Sequence, residues 1–393
     1  MKQTTQYKNT AIGKIPMDWE VRKLGEECII TMGQSPSSEF YNDECVGLPL
    51  IQGNADIVDG KSIIRFYTSQ ITKTCEKNEL IFTVRAPVGE IGIASYTSCL
   101  GRGVCSIKHS NLNTLNYVKF YLENYRANWS KLSQGSTFEA ISGNELKQFQ
   151  IPLPPLSEQQ KIAKVLSSWD KAIQETNVII KKLKRRNKAL ANQLFLNDDN
   201  RSNQKQIMQI VDRIKNSFTP EENALYKQIG IRSHAKGLFY KEAVTGRILG
   251  NKSVFWIEPN CFIVNIVFAW EQAIGKTTDA DIGFIASHRF PMYKPKAGIL
   301  NLDYLLYFFK SLKGKYLLEL ASPGGAGRNK TLGQTDFLKL KIPVPSIEEQ
   351  IRLVDILDTA TKEIQQYQQK LSNLKLQKKG LMQQLLTGKT RIV

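Results

Sequence analysis

At 393 residues the chain exceeds one average domain and leaves room for two globular cores with connecting elements. An apolar fraction of 41% and a mean hydropathy of -0.30, with no apolar run near the roughly eighteen residues a membrane helix needs, argue against a membrane span. The formal charge of +18, from 54 Lys plus Arg against 36 Asp plus Glu, suits a polyanion, because basic side chains release condensed counterions as they neutralise phosphates. Charge alone does not separate nucleic acid from an anionic membrane surface or an acidic protein.

The start, Met1-Lys2-Gln3-Thr4-Thr5-Gln6, is polar and lacks the apolar core and small-residue cleavage site of a secretory signal, which points to the cytoplasm. Six cysteines (Cys28, Cys45, Cys75, Cys99, Cys105, Cys261) form no CxxC pair, and His109, His234 and His288 lie far apart, so no zinc site is expected. Reduced core residues are the expected state of these thiols. The first 150 residues mix short β-like runs, Leu80–Val84 and Ile91–Ala94, with glycine turns, and then a helical stretch, Leu115-Asn-Tyr-Val-Lys-Phe-Tyr121.

Ile151-Pro-Leu-Pro-Pro-Leu-Ser-Glu-Gln159 opens the most informative feature, because it recurs as Ile342-Pro-Val-Pro-Ser-Ile-Glu-Glu-Gln350, an offset of 191 residues. The register holds without a gap: Leu166 matches Leu357, Ile173-Gln174 matches Ile364-Gln365, Leu183-Lys184 matches Leu374-Lys375, and Gln193-Leu194 matches Gln384-Leu385. Alternating prolines forbid helix, and a capping box then predicts its start, Ser157 with Gln160 in the first copy and Ser346 with Glu349 in the second. Beyond it, apolar positions step by four and three. The first seam is Ile162, Leu166, Trp169, Ile173, Ile180, Leu183, Leu190 and Leu194, with polar Thr176 and Asn187 within it. The second is Leu353, Leu357, Ile364, Tyr367, Leu371, Leu374, Leu381 and Leu385, with Ala360 and polar Lys378. Two matching heptad seams on one polypeptide meet at high effective concentration, so each rod is the expected mate of the other. Asn187 and Lys378 are candidates for fixing register. The basic run Lys181-Lys-Leu-Lys-Arg-Arg-Asn-Lys188 reads first as a solvated face and second as a contact for DNA or protein.

After the first rod, Asn197-Asp-Asp-Asn-Arg-Ser-Asn-Gln204 is a plausible hinge. A second mixed block follows, with β-like Cys261–Val264 and Ile282–Ala286 and a helix carrying the same aromatic pattern, Leu302-Asp-Tyr-Leu-Leu-Tyr-Phe308. The chain thus reads as α/β (α+β): a first domain at 1–150, a helix at 151–196, a linker and second domain at 197–341, and a second helix with a C-terminal tail at 342–393. No catalytic constellation is evident. Ser322–Thr331 lacks the Gly directly before Lys330 that a P-loop needs, Leu153-Pro-Pro-Leu156 lacks the flanks of an amino-methyltransferase motif, and Glu145-Leu-Lys147 is an isolated ExK with no Pro-Asp before it. The expectation is a chain that is not an enzyme.

Taken together, the pattern resembles the specificity subunit of Type I restriction-modification systems. The resemblance covers essentially the whole chain and rests on the two proline-led helix starts. It rests also on the Leu385-Leu-Thr-Gly-Lys389 ending, Ile15-Pro-Met-Asp-Trp-Glu20 with Lys23-Leu-Gly25, Leu50-Ile-Gln-Gly-Asn54 and Gly101-Arg-Gly103. It implies two target recognition domains, each reading half of an asymmetric split DNA site. It also implies two long helices packed as an antiparallel intramolecular coiled coil, relating the halves by a pseudo-two-fold repeat, and docking two methyltransferase subunits, with restriction (endonuclease/translocase) subunits joining. S-adenosylmethionine, ATP and magnesium would belong to those partners and no cofactor to this chain. The second block lacks a Trp-Glu opening, so its start is open. Polar residues in glycine-punctuated loops supply the candidates for DNA contact: Gln34, Gln52, Asn54, Arg85, Arg102 and Gln134, then Lys276, Thr277, His288, Arg289, Arg328, Asn329 and Lys330. At each of them a turn-stabilising or phosphate-positioning role stands beside base readout. Two other readings stay open: a DNA-recognition subunit of another bipartite restriction-methylation system, and a coiled-coil adaptor binding only proteins.

Overall fold

The computed structural model describes residues 6–132, 140–196, 204–250, 252–324 and 330–392. Packing divides the chain into two compact units, one of Met1–Val178 with Gln369–Val393 and one of Ile179–Gln368. The sequence places each rod in a segment of its own; the units instead each take half of both rods, because the buried seams bind the rods to the domains at either end.

Both rods are single helices, Leu156–Leu196 of 41 residues and Ile347–Leu385 of 39. Before each, the proline-led segment runs extended and pairs antiparallel with an early strand of its unit: Gln150–Leu153 with Glu20–Lys23, and Lys341–Pro343 with Gln204–Gln206. A four-residue helix follows that strand in both units, Leu24–Glu27 and Ile207–Ile210. Leu24 N donates to Phe149 O at 2.8 Å and Ile207 N to Leu340 O at 3.0 Å. Phe149 and Leu340 are themselves repeat-equivalent. Gln204–Gln206 is therefore the second unit's counterpart of Glu20–Lys23, although no Trp-Glu precedes it among the described residues. A buried tyrosine from the preceding helix locks each segment: Tyr117 Oη donates to Pro152 O at 2.8 Å and Tyr304 Oη to Pro343 O at 3.0 Å. Ser346 caps its helix, accepting from Glu349 N at 3.3 Å. In the first copy the expected Ser157 cap is displaced: Pro155 occupies the equivalent position, its carbonyl takes the N–H of Glu158 and Gln159, and Ser157 lies inside the helix.

None of the sixteen seam residues is exposed. In the first unit Ile162 and Leu166 share a core with Met382, Leu385 and Leu386. In the second, Leu353 and Leu357 share one with Phe195 and the half-buried Leu190 and Leu194. In both units the first turns of one rod meet the last turns of the other, so the pairing is antiparallel. The polar seam positions Asn187 and Lys378, equivalent under the repeat, each bond to the opposite rod. Asn187 Nδ2 donates to Ala360 O at 2.6 Å, and Lys378 Nζ reaches Asp170 at 2.5 Å and Glu123 at 3.2 Å. Such buried polar pins cost stability in a hydrophobic seam and hold its register. Lys119 joins the first cluster 3.0 Å from Asp170. Burial works against its charge, but the Glu123 and Asp170 carboxylates outweigh it and hold the ammonium above its ordinary pKa.

The first unit's main sheet runs in the order Ile29–Met32, Val104–Lys108, Leu80–Thr83, Ile91–Ile93, Lys61–Ser62 and Ile57–Val58. Leu80–Thr83 is buried at every position, as a central strand requires. A five-stranded sheet adjoins it, and helix Leu112–Asn124 places Leu115, Val118 and Phe120 in the core the main sheet shares. The second unit has a four-stranded sheet, Val211–Ile214, Met292–Pro295, Phe262–Val264 and Ile274–Lys276, with a second sheet around Phe284–Ser287. Helix Leu302–Lys310 contributes Tyr304, Phe308 and Phe309 to its core. All six cysteines are free thiols; five are buried as expected, while Cys45 is exposed in a turn. Burial pushes the Cys28 and Cys75 thiols up to about 12. No helix of the described residues is long and apolar enough to cross a membrane.

Candidate nucleic-acid interface

Four loops at strand ends converge in the first unit. They follow Ile29–Met32, Leu48–Ile51 and Leu80–Thr83, and the fourth carries the chain from Ser98–Leu100 to Val104–Lys108, passing from the five-stranded to the six-stranded sheet. Backbone bonds knit them: Gln34 N to Leu100 O at 2.8 Å, Gly101 N to Ile51 O at 2.8 Å, and Val84 N to Gly103 O at 2.9 Å. Approach this close requires glycine. A Cβ on Gly103 would stand 2.2 Å from Gln52 O, and one on Gly33 2.2 Å from Gly101 O.

The loops surround an open hollow of about 440 Å³, whose lining includes Gln52, Asn54, Arg85 and Arg102. Gln34 stands beside it, next to the lining residue Ser35, whose Oγ accepts Arg102 N at 3.0 Å. Five of the six residues expected in the first domain are thus neighbours, though far apart in sequence; Gln134 lies outside the described residues. Arg85 and Arg102 are exposed and have no ion-pair partner among the described residues. Two guanidiniums beside two amides, with no side-chain partner among the described residues, can grip phosphate or make paired hydrogen bonds to base edges. Reasoning from sequence missed the hydroxyl-bearing lining residues Ser35, Ser38 and Tyr41; the Ser35-Pro-Ser-Ser38 run was the available signal. It also missed Asp56, 3% exposed, whose Oδ2 accepts Gln52 N at 2.7 Å and Gly53 N at 3.1 Å. Each such charge-assisted bond contributes about 1.5–3 kcal/mol, enough to hold that loop in one shape. A larger hollow in this unit, about 630 Å³, is walled by Tyr121, Tyr125, Trp129 and Phe149 and has no cation among its described lining residues, an apolar character that suits phosphate poorly.

The second unit does not gather its candidates in the same way. Thr277 is a correction: it is fully buried, donating to Glu258 O at 2.6 Å and accepting Cys261 N at 2.9 Å, so its hydroxyl serves the core and cannot reach DNA. Lys276 is tied to Asp303 at 2.5 Å. His288 and Arg289 are exposed in the turn between Phe284–Ser287 and Met292–Pro295, and Lys330 Nζ lies 5.5 Å from the Trp270 ring centroid. Arg328 and Asn329 lie outside the described residues. The Glu145-Leu-Lys147 motif resolves into a reciprocal cap: Ser142 N donates to Glu145 at 2.8 Å, and Glu145 N to Ser142 Oγ at 3.2 Å.

The ends of the chain close on the first rod. Glu158, 3% exposed, accepts Trp19 Nε1 at 3.0 Å and a forked pair from Arg391 at 2.7 Å each, while Arg391 also grips Asp18 at 2.9 and 2.7 Å. Asp18-Trp19 and Arg391, which follows Leu385-Leu-Thr-Gly-Lys389, thus meet at Glu158, which no local pattern reveals.

Residues 16–185 and 246–376 match the family described as Type I restriction modification DNA specificity domain, covering most of the chain. Among relatives from Methanocaldococcus jannaschii, the putative type I restriction enzyme MjaX specificity subunit is 40% identical over 171 residues, 43% of this chain and 40% of that protein. The MjaIX specificity subunit is 31% identical over 46% of this chain and 45% of its own length, so the chain spans under half of these two relatives. The MjaVIII specificity subunit is 22% identical but aligns over 96% of this chain and 94% of its own. Among solved structures, a Type I restriction-modification S subunit from M. genitalium has a TM-score of 0.55 at 16% identity, covering 98% of this chain and 99% of that one. A chain from a structure concerning complex assembly and conformational transition of the type I R-M system has a TM-score of 0.61 at 16% identity, covering 96% and 99%. At those identities the structural likeness concerns fold alone, and it repeats the two-domain, long-helix architecture; with the family match across both halves, the chain belongs to the Type I restriction-modification specificity subunits.

Proposed function

We propose that this chain is the sequence-reading, non-catalytic subunit of a Type I complex in the cytoplasm, binding double-stranded DNA at an asymmetric site of two separated halves. Each unit reads one half, and the paired rods set the gap and dock two methyltransferase subunits, which restriction subunits join. S-adenosylmethionine, ATP and magnesium are taken by those partners. The observation that carries the reading is the first unit's hollow, where Arg85, Arg102, Gln52 and Asn54 converge on a glycine-tight frame, their polar heads unpaired among the described residues. Arginine matches the O6 and N7 acceptors of guanine, and the Gln and Asn amides match the N6 and N7 edge of adenine. Gln34 in the first unit, and Lys276, His288, Arg289 and Lys330 in the second, serve as phosphate or base contacts.

Replacing residues 17–150 with the matching block of a relative tests this directly. The methylated motif should change in one half and keep the other, since the second unit's globular part is untouched. An unchanged motif would overturn the assignment of reading to that block.

A further inference from the structure

The first rod carries a charge pattern that pairing with the second does not explain. Between Glu175 and Asp198 it contains no acidic residue, yet Lys181, Lys182, Lys184, Arg185, Arg186 and Lys188 crowd into two turns, all exposed. At about 100° per residue, Lys181, Lys184, Arg185 and Lys188 fall on one stripe whose centre lies about 130° around the helix from that of the seam of Ile180, Leu183, Asn187 and Leu190, with Lys184 at the edge nearest the seam. The flanking Arg186 pairs with the other rod, 2.5 Å from Glu363. Lys184, Arg185 and Lys188 have no acidic partner among the described residues. Like charges three and four apart weaken an isolated helix, so the stripe is a standing repulsion that the scaffold tolerates.

The scaffold does not need it. The repeat-equivalent positions of the second rod, which share the same seam spacing, are Ser372, Asn373, Lys375, Leu376, Gln377 and Lys379. Lys184 and Lys188 keep basic counterparts in Lys375 and Lys379, while Lys181, Lys182, Arg185 and Arg186 do not, so six cations in the first rod stand against two in the second, an excess that the shared seam does not require. Lys181 to Lys188 spans about 10 Å of helix, and the same length of duplex axis presents about six phosphate charges.

We infer that this stripe is a sequence-independent contact for the DNA backbone, adding phosphate neutralisation outside the base-reading loops. The inference rests on the proposed DNA-reading function. It assigns the stripe to affinity and to salt dependence, and gives it no part in choosing bases.

The test is the slope of log affinity against log salt for the full-length chain with its methyltransferase, on a duplex bearing its own methylated motif. The triple variant K184Q/R185Q/K188Q should bind more weakly, with the slope falling by about two to three, since each lost phosphate contact removes about 0.9. Its methylated motif and its helicity by circular dichroism should be unchanged, and the charge-keeping K184R/K188R should retain the wild-type slope. An unchanged slope in the glutamine variant overturns the inference. If that variant instead fails to join the methyltransferase, the stripe faces an acidic protein surface. Absence of sequence-specific retention in the wild-type complex is a separate outcome, which sinks the DNA-reading function and this inference with it.

Discussion

Arg391→Ala should be among the most damaging single substitutions in the first unit, although it lies two residues from the C-terminus. Glu158 is 3% exposed, and Arg391 supplies two of its hydrogen bonds at 2.7 Å. Removing the guanidinium leaves Trp19 Nε1 at 3.0 Å and Ile392 N at 3.4 Å facing a buried carboxylate with no counter-charge. Stranding one member of a buried pair costs about 3–5 kcal/mol, far more than losing an exposed one. For a unit of this size that is a fall in Tm of roughly 6–20 °C, read by tryptophan fluorescence or calorimetry. Adding Glu158→Gln to Arg391→Ala removes the stranded charge and should restore at least half of the loss. Acid should narrow the gap between wild type and Arg391→Ala. Arg391 holds the Asp18 carboxyl below its ordinary value, so that pairing stabilises above the unfolded pKa of about 4 and is lost as pH falls through the lower folded value. Asp18 is half exposed, so its share is small. A melting temperature for Arg391→Ala within about 2 °C of wild type at neutral pH would refute the reasoning.

Asp56→Ala should free the Gln52–Asn54 loop, costing about 3–6 kcal/mol from the two lost charge-assisted bonds and weakening DNA binding, as checked by denaturant unfolding and by filter retention. Arg102→Ala should cost about 1–3 kcal/mol of discrimination at one base pair of a single half-site, visible as a relaxed position in the methylated motif, while fold stability stays within about 0.5 kcal/mol. Inserting one heptad into each rod keeps the four-three seam and adds about 10 Å, so the non-specific gap should widen by about three base pairs unless the DNA bends to compensate.

The rods were the most legible part of the sequence because their burial is periodic. Proline forbids helix on one side, and a seam from Ile162 to Leu194 repeats at Leu353 to Leu385, so even the pins Asn187 and Lys378 stand out as polar intrusions. The unit boundaries were not legible, since nothing local says that half of each rod packs with one domain. The hollow was half legible. Its glycine loops and polar heads mark Gln52, Asn54, Arg85 and Arg102, but Asp56 acts through backbone N–H groups and leaves no pattern. Thr277 misled for a related reason: a polar residue beside a strand end looks solvent-facing until its hydroxyl is found satisfying Glu258 O and Cys261 N in the core. Arg391, Glu158 and Trp19 meet across 233 and 139 residues of sequence, a separation that no spacing rule connects.

The claim that two units read two separated half-sites is tested most directly by base-resolution mapping of DNA methylation in cells that carry this chain and its methyltransferase. The expected result is one asymmetric motif of two short specific parts around a fixed non-specific gap, absent when this chain is deleted. A continuous palindromic motif, or methylation that persists unchanged without this chain, would contradict it.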